Sequence, residues 1–450
     1  LGRQPSRIIE AMAIMRCFLA SVLLMVLLVT PALVESAGPL AHRETLPNGI
    51  TLLVAERPAV PIVVARVFTR AGAVLDPPGK EGLANLTGSL LTRGTAKRTG
   101  PEIDSAIEFV GGGLDAGAGR DGMGASMSVL KKNVGLGLDL LAEIVRSPSF
   151  PEAELKRKIG EIQAAIKRSE ESPDTVAARA LAKLVYPGHP YATPSEGTRE
   201  SVAGLTRDDV VGFYQRWVRP DTAIIAVVGA ITVDEARREV LARFGDWKAP
   251  ATPPPSIAMA QPGGAPREER ITRELTQSTI LFGRQGIRQT DPDYFPLAVA
   301  SYILGGGSTG RLYGRVRDQG GLAYSVYSYV NPGRFGASII LGAQTRIAEV
   351  PTVINLIRQE AERIGREPVS DRELDLARSY LVGSFPLRLD TTRKVSDFIV
   401  SVEEQGLGLD YPDRYIAQIR RVTAADVQRV AAKYFAPNTF NLVVVGGEVK

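Results

Sequence analysis

One stretch of this chain is written twice, 217 positions apart. Leu205-Thr206-Arg207-Asp208-Asp209-Val210 continues to Trp217-Val218-Arg219-Pro220-Asp221-Thr222 and then to Val227-Val228-Gly229. Val422-Thr423-Ala424-Ala425-Asp426-Val427 continues to Tyr434-Phe435-Ala436-Pro437-Asn438-Thr439 and then to Val444-Val445-Gly446. Thr, Asp, Pro and Gly recur at one constant offset, far longer than any solenoid period. The chain is therefore read as two copies of one domain. Each copy is α+β, with helices packed against one mainly antiparallel sheet. Lys248 to Pro266 is dense in Pro, Ala and Gly and reads as the linker. It divides an N-terminal domain, 40–247, from a C-terminal domain, 267–450.

Local signals fill in the first copy. Asn48-Gly49 between apolar runs predicts a hairpin, and Pro61 to Thr69 a buried strand. Helices are expected around Ile103 to Val110 and over Val134 to Val145, Glu152 to Glu170 and Pro173 to Val185. Strands are expected at Met123 to Leu130 and Thr222 to Val228. Gly111-Gly112-Gly113 reads as a turn, and Gly305-Gly306-Gly307 as a flexible break between helices. The latter lacks the Gly-Lys-Ser/Thr ending of a phosphate loop.

Residues 1–37 read as a leader with Met15 as its start. Arg16 supplies the positive region, Phe18 to Val29 the apolar core, and Ser36 or Ala37 the cleavage point. The apolar core is short for a membrane span, so no stable span is expected after cleavage. The chain is expected to be exported, to the periplasm of a Gram-negative bacterium. Its one cysteine, Cys17, lies in the leader, which leaves the mature chain without disulfides or zinc thiolates. The net charge of +5 is small, and Lys and Arg are scattered among acids, so no nucleic-acid face is expected.

Two histidines, His42 and His189, serve all 450 residues. His189, between prolines in a loop, is read as structural. Zinc sites normally need several His, Cys or carboxylate ligands converging on one point. On a helix, residues i, i+3 and i+4 share a face. Two imidazoles at i and i+4 could grip a metal there, and a carboxylate at i+3 could act as base on its water. In Glu81-Gly82-Leu83-Ala84-Asn85-Leu86-Thr87-Gly88-Ser89-Leu90-Leu91 those places hold Asn85, Gly88 and Ser89. An amide, a bare backbone and a hydroxyl supply neither a strong ligand set nor a base.

This segment resembles the active-site helix of the M16 (insulinase, pitrilysin, mitochondrial processing peptidase) family, whose His-x-x-Glu-His falls on Asn85 to Ser89. The family's third ligand, a Glu on a later helix, falls on Ala165 in Phe150 to Ile166, and a supporting acid falls on Lys158. Asn85, Gly88, Ser89 and Ala165 are thus degenerate zinc-site positions and not ligands. Glu161 and Gln163 are read as solvent-facing. The second copy keeps another family signature, Leu304 to Ser328. In it Arg317 and Tyr324, seven positions apart, match the family's Arg and Tyr. The resemblance implies that this pair holds substrate backbone and steadies the oxyanion. It also implies peptide captured by strand addition, with the edge expected at Ser126 to Leu130 or around Ser325 to Tyr329.

The expected function is the non-metal subunit of an exported heteromeric M16 metalloendopeptidase. This chain would hold no cofactor, Arg317 and Tyr324 would be its catalytic residues, and zinc would sit in a partner subunit. The alternative is an inert M16-fold scaffold or peptide-binding protein.

Overall fold

The computed structural model describes residues 39–254 and 256–447. The expected leader lies outside them. From Ala41 onwards the described residues form one compact unit, built on two sheets.

The first sheet holds β1 (His42–Thr45), β2 (Thr51–Glu56), β3 (Ile62–Thr69), β4 (Gly113–Ala118), β5 (Met123–Leu130) and β6 (Ile224–Gly229), in the order β1-β2-β6-β3-β5-β4. Asn48-Gly49 forms the expected hairpin turn, with Gly49 at φ 91°, where a side chain is strained. β2 pairs with β6 in parallel and the other pairs are antiparallel. The second sheet holds β7 (Glu268–Thr272), β8 (Gln277–Gln285), β9 (Ala323–Asn331), β10 (Ser338–Arg346) and β11 (Asn441–Gly446), in the order β7-β11-β8-β10-β9. It repeats the first sheet from β2 onwards, including one parallel pair, β7 with β11. β6 and β11 stand 217 residues apart, as do α7 (Arg207–Trp217) and α14 (Ala424–Tyr434).

The sequence reading missed β4. It was legible only as a glycine turn, because Leu114-Asp115-Ala116-Gly117-Ala118 carries no β-branched or aromatic residue. Its pairing makes β5 an interior strand, held by β3 on one side and β4 on the other. Ser126 to Leu130 is therefore no edge. The edge strands are β1 and β4 in the first sheet and β7 and β9 in the second.

Each sheet has helices on both faces. Against the first lie α1 (Leu83–Leu90), α2 (Gly100–Phe109), α3 (Val134–Arg146), α4 (Glu152–Glu171), α6 (Arg199–Ala203), α7 and α8 (Val233–Phe244), enclosing a core that includes Leu52, Val67, Leu86, Met127, Leu141 and Val227. Against the second lie α9 (Tyr294–Gly305), α10 (Val350–Arg366), α11 (Asp371–Ser384), α13 (Tyr411–Arg421) and α14, around Ile280, Leu304, Leu341, Ile357 and Val444. The remaining two helices are exchanged. α5 (Pro173–Val185), from the first half, lies on β8 and β11 of the second sheet. α12 (Thr392–Glu404), from the second half, lies on β6 and β3 of the first. Strand alternation makes this possible: Leu442 and Val444 face one core, while Val443 and Val445 face α5.

The linker carries no helix or strand, as its composition predicts. It is nevertheless tied down. The buried Arg219, which pairs with Asp221, donates to the carbonyls of Thr252 (2.7 Å) and Pro250 (3.4 Å). His189 joins it structurally: Nδ1 accepts from the Tyr191 N–H, so Nε2 is left to donate to Ala258 O at 3.1 Å. No helix among the described residues is long and apolar enough to cross a membrane.

Candidate active site

α1 begins at Gly82, whose φ of 94° suits glycine alone. Asp76 clamps this start. Its carboxylate accepts from the Gly82 and Ala84 N–H groups, both at 2.8 Å. These are donors that the first turn of a helix leaves without intrahelical partners. Burial pushes the Asp76 carboxyl up to about 7 in spite of those donors. Ser201 Oγ donates to Glu81 O at 2.7 Å and fixes the same loop from the other side. The Asp76 clamp was missed from the sequence. Its signal was an Asp ahead of Pro77-Pro78-Gly79 and the helix.

Asn85, Gly88 and Ser89 lie on α1, and Ala165 on α4, which packs against it. Ala165 is exposed. Ser89 Oγ is turned back onto Leu86 O at 2.8 Å. A side chain on Gly88 is excluded by backbone: an added Cβ would stand 2.6 Å from Gly117 C and Ala118 N of β4. Space that a glutamate would need is filled by the neighbouring strand. Nearby, Glu161 is exposed and paired with Lys158 at 2.8 Å, which holds its carboxyl below the ordinary range, and it also bonds Arg157. Gln163 donates to Arg199 O at 3.2 Å. Among the described residues no three His, Cys, Asp or Glu side chains gather as a metal cage. The residues present do not fit a zinc ion.

Arg317 and Tyr324 do come together. Arg317 sits in a π-helical turn, Tyr313–Asp318, with the characteristic wide bond from Gln319 N–H to Gly314 O at 3.0 Å. Such turns are rare and concentrate at functional sites. Tyr324 opens β9 on a bulge. Ser325 pairs with Gln344 and Ala323 with Thr345, so Tyr324 is the extra residue that neither partner opposes. A bulge re-aims a side chain, and here it leaves Tyr324 78% exposed. The Arg317 guanidinium lies 5.4 Å from the Tyr324 ring centre and 4.7 Å from that of Tyr313. Tyr313 was not singled out from the sequence. Its four-residue spacing from Arg317 was the available signal.

Gly305-Gly306-Gly307, next to this turn, is a break as expected, but a packed one. A Cβ on Gly305 would meet Ser328 N at 2.7 Å, and one on Gly306 the Tyr302 Cα at 2.6 Å. Close approach, not flexibility, asks for glycine here.

Comparison with known proteins agrees with this anatomy. Residues 51–199 match the model described as Insulinase (Peptidase family M16), and residues 204–381 the model described as Peptidase M16 inactive domain. An uncharacterized zinc protease of Streptomyces coelicolor is 29% identical over 87% of this chain and 86% of its own length. Another, from Bacillus subtilis, is 26% identical over 78% and 85%. The crystal structure of a peptidase M16 inactive domain from Pseudomonas fluorescens superposes with a TM-score of 0.85 at 25% identity, covering 91% of this chain and 98% of that one. A protease from Helicobacter pylori shares the fold, with a TM-score of 0.83 at 20% identity over 90% and 99%. Two sheets of one topology, a ligand-free helix where the zinc motif falls, a paired Arg and Tyr in the second half, and two adjoining family models leave one conclusion: this chain belongs to the M16 peptidase family.

Proposed function

We propose that this chain is the non-metal subunit of a heteromeric M16 endopeptidase. It would bind an extended peptide and stabilise the oxyanion, while a separate subunit holds the zinc, the base and the hydrolytic water. Export to the periplasm is part of this proposal and rests on the leader sequence.

The observation that carries it is the contrast between the two halves. α1 and α4 offer no ligand set, and β4 backbone fills the Gly88 position. Arg317 and Tyr324 instead converge beside the open edge of β9. A peptide adding to that edge would gain main-chain hydrogen bonds. The guanidinium would offer a planar fork of donors to its carbonyls, and the Tyr324 phenol one donor to a tetrahedral oxygen. Neither group activates water.

The test begins with the full chain purified alone, which should hydrolyse peptides negligibly. Adding a zinc-bearing M16 subunit co-purified from the same host should restore cleavage. Tyr324→Phe should then lower turnover by about 10²- to 10³-fold, the usual cost of one oxyanion donor, with assembly unchanged. Unaltered turnover would remove the catalytic role. The alternative, an inert peptide-binding scaffold, takes support from the closed Gly88 position, and it predicts no cleavage with any partner.

A further inference from the structure

Many arginines in this protein are fixed by acids. Arg219 holds Asp221, Arg243 holds Asp139 and Arg311 holds Glu373. Arg317 belongs to the other group: like Arg120, Arg216 and Arg388 it has neither an ion pair nor a side-chain hydrogen bond among the described residues and lies against aromatic rings, here those of Tyr313 and Tyr324. A carboxylate that oriented this guanidinium would consume its donors. An aromatic face attracts the cation through its quadrupole and leaves the N–H groups at the rim unspent.

We propose that Tyr313 is the positioning residue for Arg317: its ring, packed against the second core, holds the guanidinium flat and keeps all five donors available for a peptide main chain. Three observations support this. Tyr313 is half-buried against the core, so it is the fixed partner, whereas Tyr324 is exposed. Tyr313 and Arg317 are four residues apart within a single π turn, the geometry that brings them alongside. The turn itself is pinned at its far end, where Gly321, at φ 57°, lets Leu322 N–H reach Val316 O at 3.0 Å. The inference rests on the reading of Arg317 as a substrate-binding group, and it names what prepares that group.

The experiment uses the full chain, its arginine Nε–Hε signals followed by NMR, with Arg317 identified by the signal lost in Arg317→Lys. In the parent chain the Arg317 signal should be displaced by ring currents. Tyr313→Phe should keep that displacement and Tyr313→Leu should remove most of it, leaving only the part due to the more distant Tyr324 ring, with thermal midpoints preserved. An unchanged Arg317 signal in Tyr313→Leu overturns the proposal. Binding of a fluorescein-labelled unstructured peptide gives the second arm. Tyr313→Leu should weaken it about three- to tenfold, in keeping with the strength of such a stack, and should have no further effect in an Arg317→Ala background. Full additivity of the two substitutions also overturns the proposal. Peptide binding that survives Arg317→Ala undamaged would instead sink the reading of Arg317 as a substrate contact, a result separable from the NMR arm.

Discussion

Gly88 stands where the family carries its glutamate, and β4 backbone occupies the space that a side chain would need. Overfilling a packed contact costs about 1–3 kcal/mol, so Gly88→Ala should lower the unfolding free energy by that order, read as a lower urea midpoint. Gly160→Ala is the control. Gly160 is exposed on α4 with nothing within 4 Å of an added Cβ, and the change should stabilise by about 0.5–1 kcal/mol through helix propensity and unfolded-state entropy. Equal midpoints for the two variants would refute the packing account. By the same logic, restoring the motif with Asn85→His, Gly88→Glu, Ser89→His and Ala165→Glu should give a destabilised chain without stoichiometric zinc, checked by denaturation and elemental analysis. Asp76, at the other end of α1, gives a pH prediction. Its folded value of about 7 lies above the ordinary aspartate value, so the folded chain binds the proton more tightly than the unfolded one. Its contribution is fully present below about pH 4 and is lost as pH rises through about 7. Asp76→Asn should therefore flatten stability against pH across that window, and an unchanged slope in urea titrations would count against it. Sequence alone exposed the missing ligands, because spacing on a helix is fixed. It could not show that the vacated room had closed, because that depends on a strand approaching from elsewhere.

Among the elements, the helices were the most legible. The bounds expected for the helix Pro173 to Val185 match the observed ones, because apolar periodicity and the Ser172 cap define it, and those of the strand Met123 to Leu130 match because Gly, Ser and apolar residues alternate along it. The repeat offset also carries physics. Thr206 caps α7 and receives Asp209 in return; Thr423 and Asp426 do the same for α14. Each box satisfies N–H groups that the first turn leaves without partners. Thr206→Ala and Thr423→Ala should each cost about 1 kcal/mol. The double variant should show their sum, since the two caps share no partner. Markedly unequal costs, read from denaturant midpoints, would mean that the two copies no longer use the repeated motif alike. β4 escaped the reading for the opposite reason. A strand of Gly, Ala, Leu and Asp has no intrinsic β signal, and pairing with β5 makes it a strand. The edge was then assigned one strand too far in. In the second sheet, where Tyr and Val mark β9, the edge was placed correctly.

At the scale of the whole molecule, the repeat suggests two separable domains, and the exchanged helices argue against that. α5 presents Leu181, Leu184 and Val185 to Leu281, Ile340, Val443 and Val445, all buried. Removing the second half uncovers the first group, and removing the first half uncovers the second. At roughly 1.5–3 kcal/mol for each large aliphatic side chain, the joint loss is on the order of 10–20 kcal/mol. That is an upper estimate, because unfolded chains bury some surface too. It still matches or exceeds the whole stability of an ordinary domain, about 5–15 kcal/mol. The reciprocal contact adds ion pairs across the other sheet, Arg43 with Glu403 at 2.9 Å and Arg66 with Asp397 at 2.5 Å, both partly exposed and individually weak. Apolar burial therefore decides the outcome. Residues 41–247 and 267–447 expressed separately should each lack a cooperative unfolding transition and expose apolar surface to a hydrophobic dye. Co-expressed, they should assemble into a stable one-to-one complex that unfolds as a single unit. A half that unfolds cooperatively on its own, with dye binding no greater than that of the full chain, would show that the helix exchange is dispensable. The duplicated sequence would then describe two independent domains.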